Sequence, residues 1–165
     1  MNSGADQACG TDRRKDDPFP DLNAEESAAL LGTLVQEHAE RTAERILERM
    51  GGPLAQANLT QYLNDESCVR YPAEVVFDDA GLEPNQFGEP FMSDEDGRRI
   101  CKIHIHPRFE HQPDLLPFFV AYLTPLVNYG PLVSSDICEA FGAQITGQEQ
   151  DVYYAILCRA VDGGW

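Results

Sequence analysis

The stretch from Leu115 to Ser135, 21 residues without a charge, constrains this chain more than any other. An apolar run of that length either crosses a bilayer or lies in the middle of a folded body. Pro117, Pro125, Gly130 and Pro131 interrupt it, and no cluster of Lys or Arg flanks either end. A spanning helix carries an unbroken apolar core and a basic cytoplasmic flank, so the run reads as the buried centre of a soluble fold, with no membrane partner. Its first part, Leu115–Val127, has no polar face and is expected to be a central helix. Asp114 is placed to cap it, and Pro117 falls in the first turn, where a missing N–H costs little. Pro125 is expected to kink or end it, because its ring meets the carbonyl of Ala121.

The rest of the chain supplies elements to surround that helix. Asn23 opens a helix with Glu26 in the capping-box position, and Leu30, Leu31, Leu34, Val35, Ala39, Ile46, Leu47 and Met50 recur at a helical period up to Gly51–Gly52. His38 lies on that apolar stripe and reads as a histidine satisfied by one core hydrogen bond. Shorter helices are expected over Leu54–Leu63, from Ser134 or Ser135 to Gly147, and over Glu149–Val161. Cys68–Asp79 is rich in β-branched and aromatic residues and reads as strand. Pro72 makes it two short pieces or an edge. Gly81–Gly97 reads as a long irregular connection, a flap over the strand that follows. The expected fold is α+β, about five helices packed with a small sheet of two to four short strands. It forms one domain over 21–165 behind a disordered tail over 1–20.

Charge bounds the partners. Twenty-eight Asp and Glu stand against 12 Lys and Arg, a net −16. The excess is spread, with −1 over 1–20, −4 over 21–50, −6 over 51–111 and −5 over 112–165. That distribution describes an acidic surface rather than an acidic tail, and it repels nucleic acid and anionic membranes. The five cysteines form no Cys-x-x-Cys pair and their number is odd, so they read as reduced, buried residues of a cytoplasmic protein. No basic start followed by an apolar run suggests a signal peptide.

One segment carries candidate chemistry. From Arg99 to His106, Cys101, Ile103 and Ile105 alternate with Lys102, His104 and His106, a period of two that puts both imidazoles on one strand face. His111, past the Pro107 turn, completes a three-histidine set; Glu110, Asp114 or the Asp94–Glu95–Asp96 acids offer a carboxylate instead. Such sets suit zinc or iron. Lys102 on the same face opposes a cation, and a polar strand edge explains the pattern without metal. No Gly-x-Ser-x-Gly elbow and no phosphate-binding glycine loop is present, and no residue reads as catalytic.

The order of strand Ile100–His106, proline, loop and apolar helix resembles the central part of zincin metallopeptidases. In those a strand lines the substrate cleft and the next helix carries His-Glu-x-x-His. The helix here reads Val120-Ala-Tyr-Leu-Thr-Pro-Leu126, so both ligands and the glutamate are missing. The resemblance implies a fold without the peptidase chemistry.

Two function classes follow. The first is an acidic accessory or interaction protein that binds a basic protein partner without catalysis of its own. Phe87, Phe91, Tyr129 and Trp165, expected in loops or the tail, are its candidate interface. The alternative is a small metalloprotein or metalloenzyme holding zinc or iron at His104, His106 and His111.

Overall fold

Most of the uncharged run folds as one helix, packed against the sheet and two other helices. The computed structural model describes residues 23–163, so the tail expected over 1–20 and Trp165 lie outside the described residues. Five helices pack with one three-stranded mixed sheet, an α+β arrangement. The helices are α1 (Ala24–Met50), α2 (Leu59–Asn64), α3 (Leu116–Tyr129), α4 (Ser135–Thr146) and α5 (Gln150–Val161). The strands are β1 (Ala73–Phe77), β2 (Gly88–Glu95) and β3 (Arg98–Ile105).

Helix α3 buries Leu116, Phe119, Val120, Leu123, Thr124, Pro125 and Val127, among others. The segment Pro113–Leu132 is long and apolar enough to cross a membrane, and 56% of its apolar window is buried inside the fold. One expectation about this helix is narrowed and another corrected. Pro125 does not end it: the helix continues to Tyr129, where Gly130 donates its N–H to the Leu126 carbonyl. A proline in a helix interior costs about 3 kcal/mol, and burial of Ala121, Leu123, Thr124 and Val127 around it outweighs that. Asp114 makes no cap: Pro113–Leu115 form a 3₁₀ turn leading into α3, whose N-terminus has no side-chain cap.

Two tyrosine hydroxyls end on this helix. Tyr62 of α2 donates to Thr124 Oγ1 at 2.8 Å, and Thr124 donates in turn to the Val120 carbonyl at 2.8 Å. Tyr153 of α5 donates to the Phe118 carbonyl at 2.7 Å. Both tyrosines are fully buried, so these bonds satisfy polar atoms that water cannot reach.

β3 is the central strand, with β1 parallel on one side and β2 antiparallel on the other. Cys101, Ile103 and Ile105 are fully buried on the inner face, and α3 lies against β2 and β3. β1 is an edge strand shorter than Cys68–Asp79, because Cys68–Tyr71 form turns before Pro72. The long connection expected over Gly81–Gly97 is half strand. β2 occupies its second part and meets β3 through a tight turn in which Asp96 (φ 50°) and Gly97 (φ 76°) both take left-handed conformations. The acids Asp94, Glu95 and Asp96 therefore belong to this hairpin, and Pro90 is tolerated because β2 is an edge.

Helix α1 begins at the expected cap, with Asn23 and Glu26 forming both bonds of the capping box, and ends at Gly51 in the left-handed region. Its core stripe starts later than the sequence suggests. Val35, Ala39, Thr42, Ala43 and Ile46 are buried, while Leu30, Leu31 and Leu34 are 50%, 44% and 53% exposed. The helix is about 40 Å long at 1.5 Å per residue, and among the described residues nothing covers its first turns.

α4 packs on α3 and carries α1 and α5 on its other sides. Ser134 caps it and Gly147 ends it. A side chain at Gly142 would fall on the ring of Tyr153, so glycine lets α4 and α5 approach. Cys68, Cys101 and Cys138 are buried free thiols.

Thr124→Val, which strands the Tyr62 hydroxyl, is expected to cost about 1–3 kcal/mol in urea unfolding. Adding Tyr62→Phe should cost less than the sum of the two single changes. Gly142→Ala should cost about 1–3 kcal/mol through overpacking against Tyr153.

Candidate functional site

The three histidines go to separate neighbours. His104, on the outer sheet face, pairs across the strands with Val76 and Glu89 and packs its ring 4.5 Å from Phe91. Its Nδ1 is buried without a hydrogen-bond partner. β3 stops at Ile105, so His106 leaves the alternation: its Nδ1 accepts from the Arg108 amide at 3.2 Å, capping the Pro107–Phe109 turn. His111 is exposed beyond that turn. Lys102 Nζ takes Glu95 at 2.6 Å and Glu74 at 3.8 Å, so those acids serve the ammonium. Among the described residues, no group of three or more His, Cys, Asp or Glu is placed to hold a metal ion. Sequence spacing brought His104, His106 and His111 into one set; the structure does not.

The aromatic candidates also divide. Phe91 is in β2, not a loop, and packs between His104 and the backbone of Gly81. Tyr129 is the last residue of α3, half-buried, with its hydroxyl 2.8 Å from His38 Nδ1. That contact gives His38 one hydrogen bond, but the residue is exposed, which corrects the core position expected for it. Phe87 does lie in a connection, immediately before β2. It stacks on Phe119 at 4.7 Å and meets Tyr122 edge-on at 5.4 Å.

Phe87 and Tyr122 form one wall of an open pocket of about 230 Å³, closed on the other side by α5. Tyr154, Leu157, Cys158 and Val161 of α5 line that side, and Tyr154 is 52% exposed. Glu139 of α4 and Asp162 stand in the lining, with no Lys, Arg or His among its residues. The pocket thus has three aromatic rings, an aliphatic floor and two carboxylates.

Its electrostatics follow from that composition. Burial, then the neighbouring Asp136 one turn back on α4, pushes the Glu139 carboxyl above its ordinary range. Burial pushes the Tyr122 hydroxyl up to about 12, with Cys138, Glu139 and Asp136 adding to it. Burial likewise raises the Cys138 thiol to about 12. Each group resists carrying negative charge here, and no lining cation offsets the acids. Chemically, the arrangement suits a group that is apolar along its stem and cationic at its tip. Carboxylates would meet the charge, ring faces would add cation–π attraction, and Leu157 and Val161 would cover the stem.

Tyr122, Glu139, Tyr154 and Asp162 were not among the sequence candidates. Tyr122 sits in a helix read as wholly internal. On α5, however, Tyr154, Leu157, Cys158 and Val161 recur at i, i+3, i+4 and i+7. That second apolar stripe, beside the core stripe of Tyr153, Leu157 and Ala160, was the available signal.

No protein family, curated protein or solved structure matches this chain.

The raised Glu139 group sets a pH test. Its folded pKa lies above the unfolded value, so ionisation at neutral pH opposes folding, and the opposition fades as pH falls through the folded value. Glu139→Gln should raise the thermal midpoint slightly at pH 7, by under about 2 °C, and give no gain at pH 3.

Proposed function

We propose that this chain is an acidic accessory protein that binds a basic protein partner through the pocket of Phe87, Tyr122 and Tyr154. The observation that carries this reading is the uncompensated pair Glu139 and Asp162 beside three rings, with no basic residue in the lining. A Lys or Arg side chain offered by a partner would supply the missing charge and lay its methylenes on the aliphatic floor. A cation over such rings is worth about 0.5–2 kcal/mol, more as water is excluded. The net charge of −16 adds long-range attraction, which speeds encounter with a basic surface and weakens as salt screens it.

The experiment is fluorescence anisotropy with a labelled Lys- and Leu-containing peptide, and with an acidic peptide as control. The basic peptide should bind and the acidic one should not. Binding should weaken as NaCl rises from about 50 to 500 mM. Glu139→Gln with Asp162→Asn should weaken it about tenfold, near 1.4 kcal/mol. Asp94→Asn with Asp96→Asn, an equal charge change in the β2–β3 hairpin, should leave it nearly unchanged. Salt-insensitive binding, or equal effects of the two double variants, would overturn the reading.

A further inference from the structure

We infer that a second cleft, at the C-terminal end of α3, binds a small organic molecule through a single carboxylate. This cleft, about 330 Å³, lies between α1, the 65–70 turn and the end of α3. His38 and Thr42 form one wall, Asn128 and Tyr129 lie at the end of α3, and Ser67 and Arg70 face them.

The walls are held in place. Asn128 Oδ1 accepts from the Arg70 amide at 2.8 Å, and its Nδ2 donates to the Cys68 carbonyl at 3.2 Å. The turn is held from its other end by Asp65. That carboxylate accepts from the Ser67 hydroxyl at 2.6 Å, the Ser67 amide at 2.9 Å and Arg49 Nε at 2.6 Å. The Ser67 and Arg49 bonds hold the Asp65 carboxyl down at about 2. Across the cleft, the Tyr129 hydroxyl joins His38 Nδ1 at 2.8 Å and Thr42 Oγ1 at 3.4 Å in one hydrogen-bonded chain.

Charge selects the ligand. Arg45, outside the lining, donates to Thr42 Oγ1 at 3.0 Å and holds that wall in place. Arg70 has no carboxylate partner among the described residues; its Nη1 reaches the Asn128 carbonyl at 3.5 Å and its guanidinium lies 5.5 Å from the centre of the Tyr71 ring. In a chain with more than twice as many acids as bases, Arg70 is the guanidinium that lines this cleft and the group that meets an anion there. A planar carboxylate matches the guanidinium fork. Two features oppose a more highly charged anion: Glu66 in the lining and the carbonyl end of α3. They favour one negative charge over the two of a phosphate. The His38–Tyr129–Thr42 chain offers hydrogen bonds to a hydroxyl or carbonyl next to that carboxylate.

Proton NMR of the histidine rings tests this, because the chain has four histidines and His38→Gln identifies the His38 signal. Lactate, acetate and inorganic phosphate are titrated at pH 7.5 and constant ionic strength. Lactate should shift the His38 signal saturably, with half-saturation below about 10 mM, and more tightly than acetate. Arg70→Gln should weaken lactate at least tenfold while leaving the other histidine signals in place, which shows the fold intact. Glu139→Gln should leave the lactate titration of the His38 signal unaltered, which separates this site from the aromatic pocket. Absence of saturation with lactate and acetate, insensitivity to Arg70→Gln, or tighter binding of phosphate than of lactate would each overturn the inference.

Discussion

A helix without a polar face has to be covered on every side, and α3 imposes that requirement on the whole molecule. The inner face of the sheet, with Cys101, Ile103 and Ile105, takes one side, and α4 takes another. Its few polar demands are met by local bonds: Thr124 turns back to the Val120 carbonyl, and Tyr62 and Tyr153 bring hydroxyls in from α2 and α5. Burial of Ala121, Leu123, Thr124 and Val127 around it also explains why Pro125 is accommodated. A helix held by packing along both flanks can lose one backbone bond without losing its course.

The same helix links the two sites. Tyr122 faces the acidic aromatic pocket, and Tyr129 faces the arginine-flanked cleft, two helical turns away. The chain as a whole is acidic, yet its charges are not mixed evenly. Two acids without a cation stand at one site, and Arg70 with one acid, Glu66, lines the other. The two acids of the first site repel each other, and a cationic ligand would relieve that repulsion.

Much of the fold was legible because local physics decides it. The Asn23–Glu26 box, the Gly51 and Gly147 stops and the Ser134 cap each depend on a few adjacent residues. The alternation of β3 was legible for the same reason. The β2 strand was not: Pro90 and three acids disguised it, although Asp96-Gly97 is a strong hairpin signal once read as a turn. His104 and His106 share strand parity, but a strand ending at Ile105 releases His106 to cap the next turn. The pairing of His38 with Tyr129 spans 91 positions, and no local pattern encodes it. Glu139 and Asp162 likewise meet Phe87 only through the packing of α4 and α5 on α3.

The late start of the core stripe on α1 divides that helix into two mechanical halves. From Val35 onward it is anchored by buried side chains. Before that point it is sustained by its cap, its backbone bonds and its propensity, while Leu30, Leu31 and Leu34 face outward. An unpacked stretch of about three turns is marginal in water. Its amides are therefore the ones that open by local fraying, at a free energy well below that of global unfolding. The helix is continuous in outline but not in cooperativity: its leading turns can melt and reform while His38 and the residues after it stay seated.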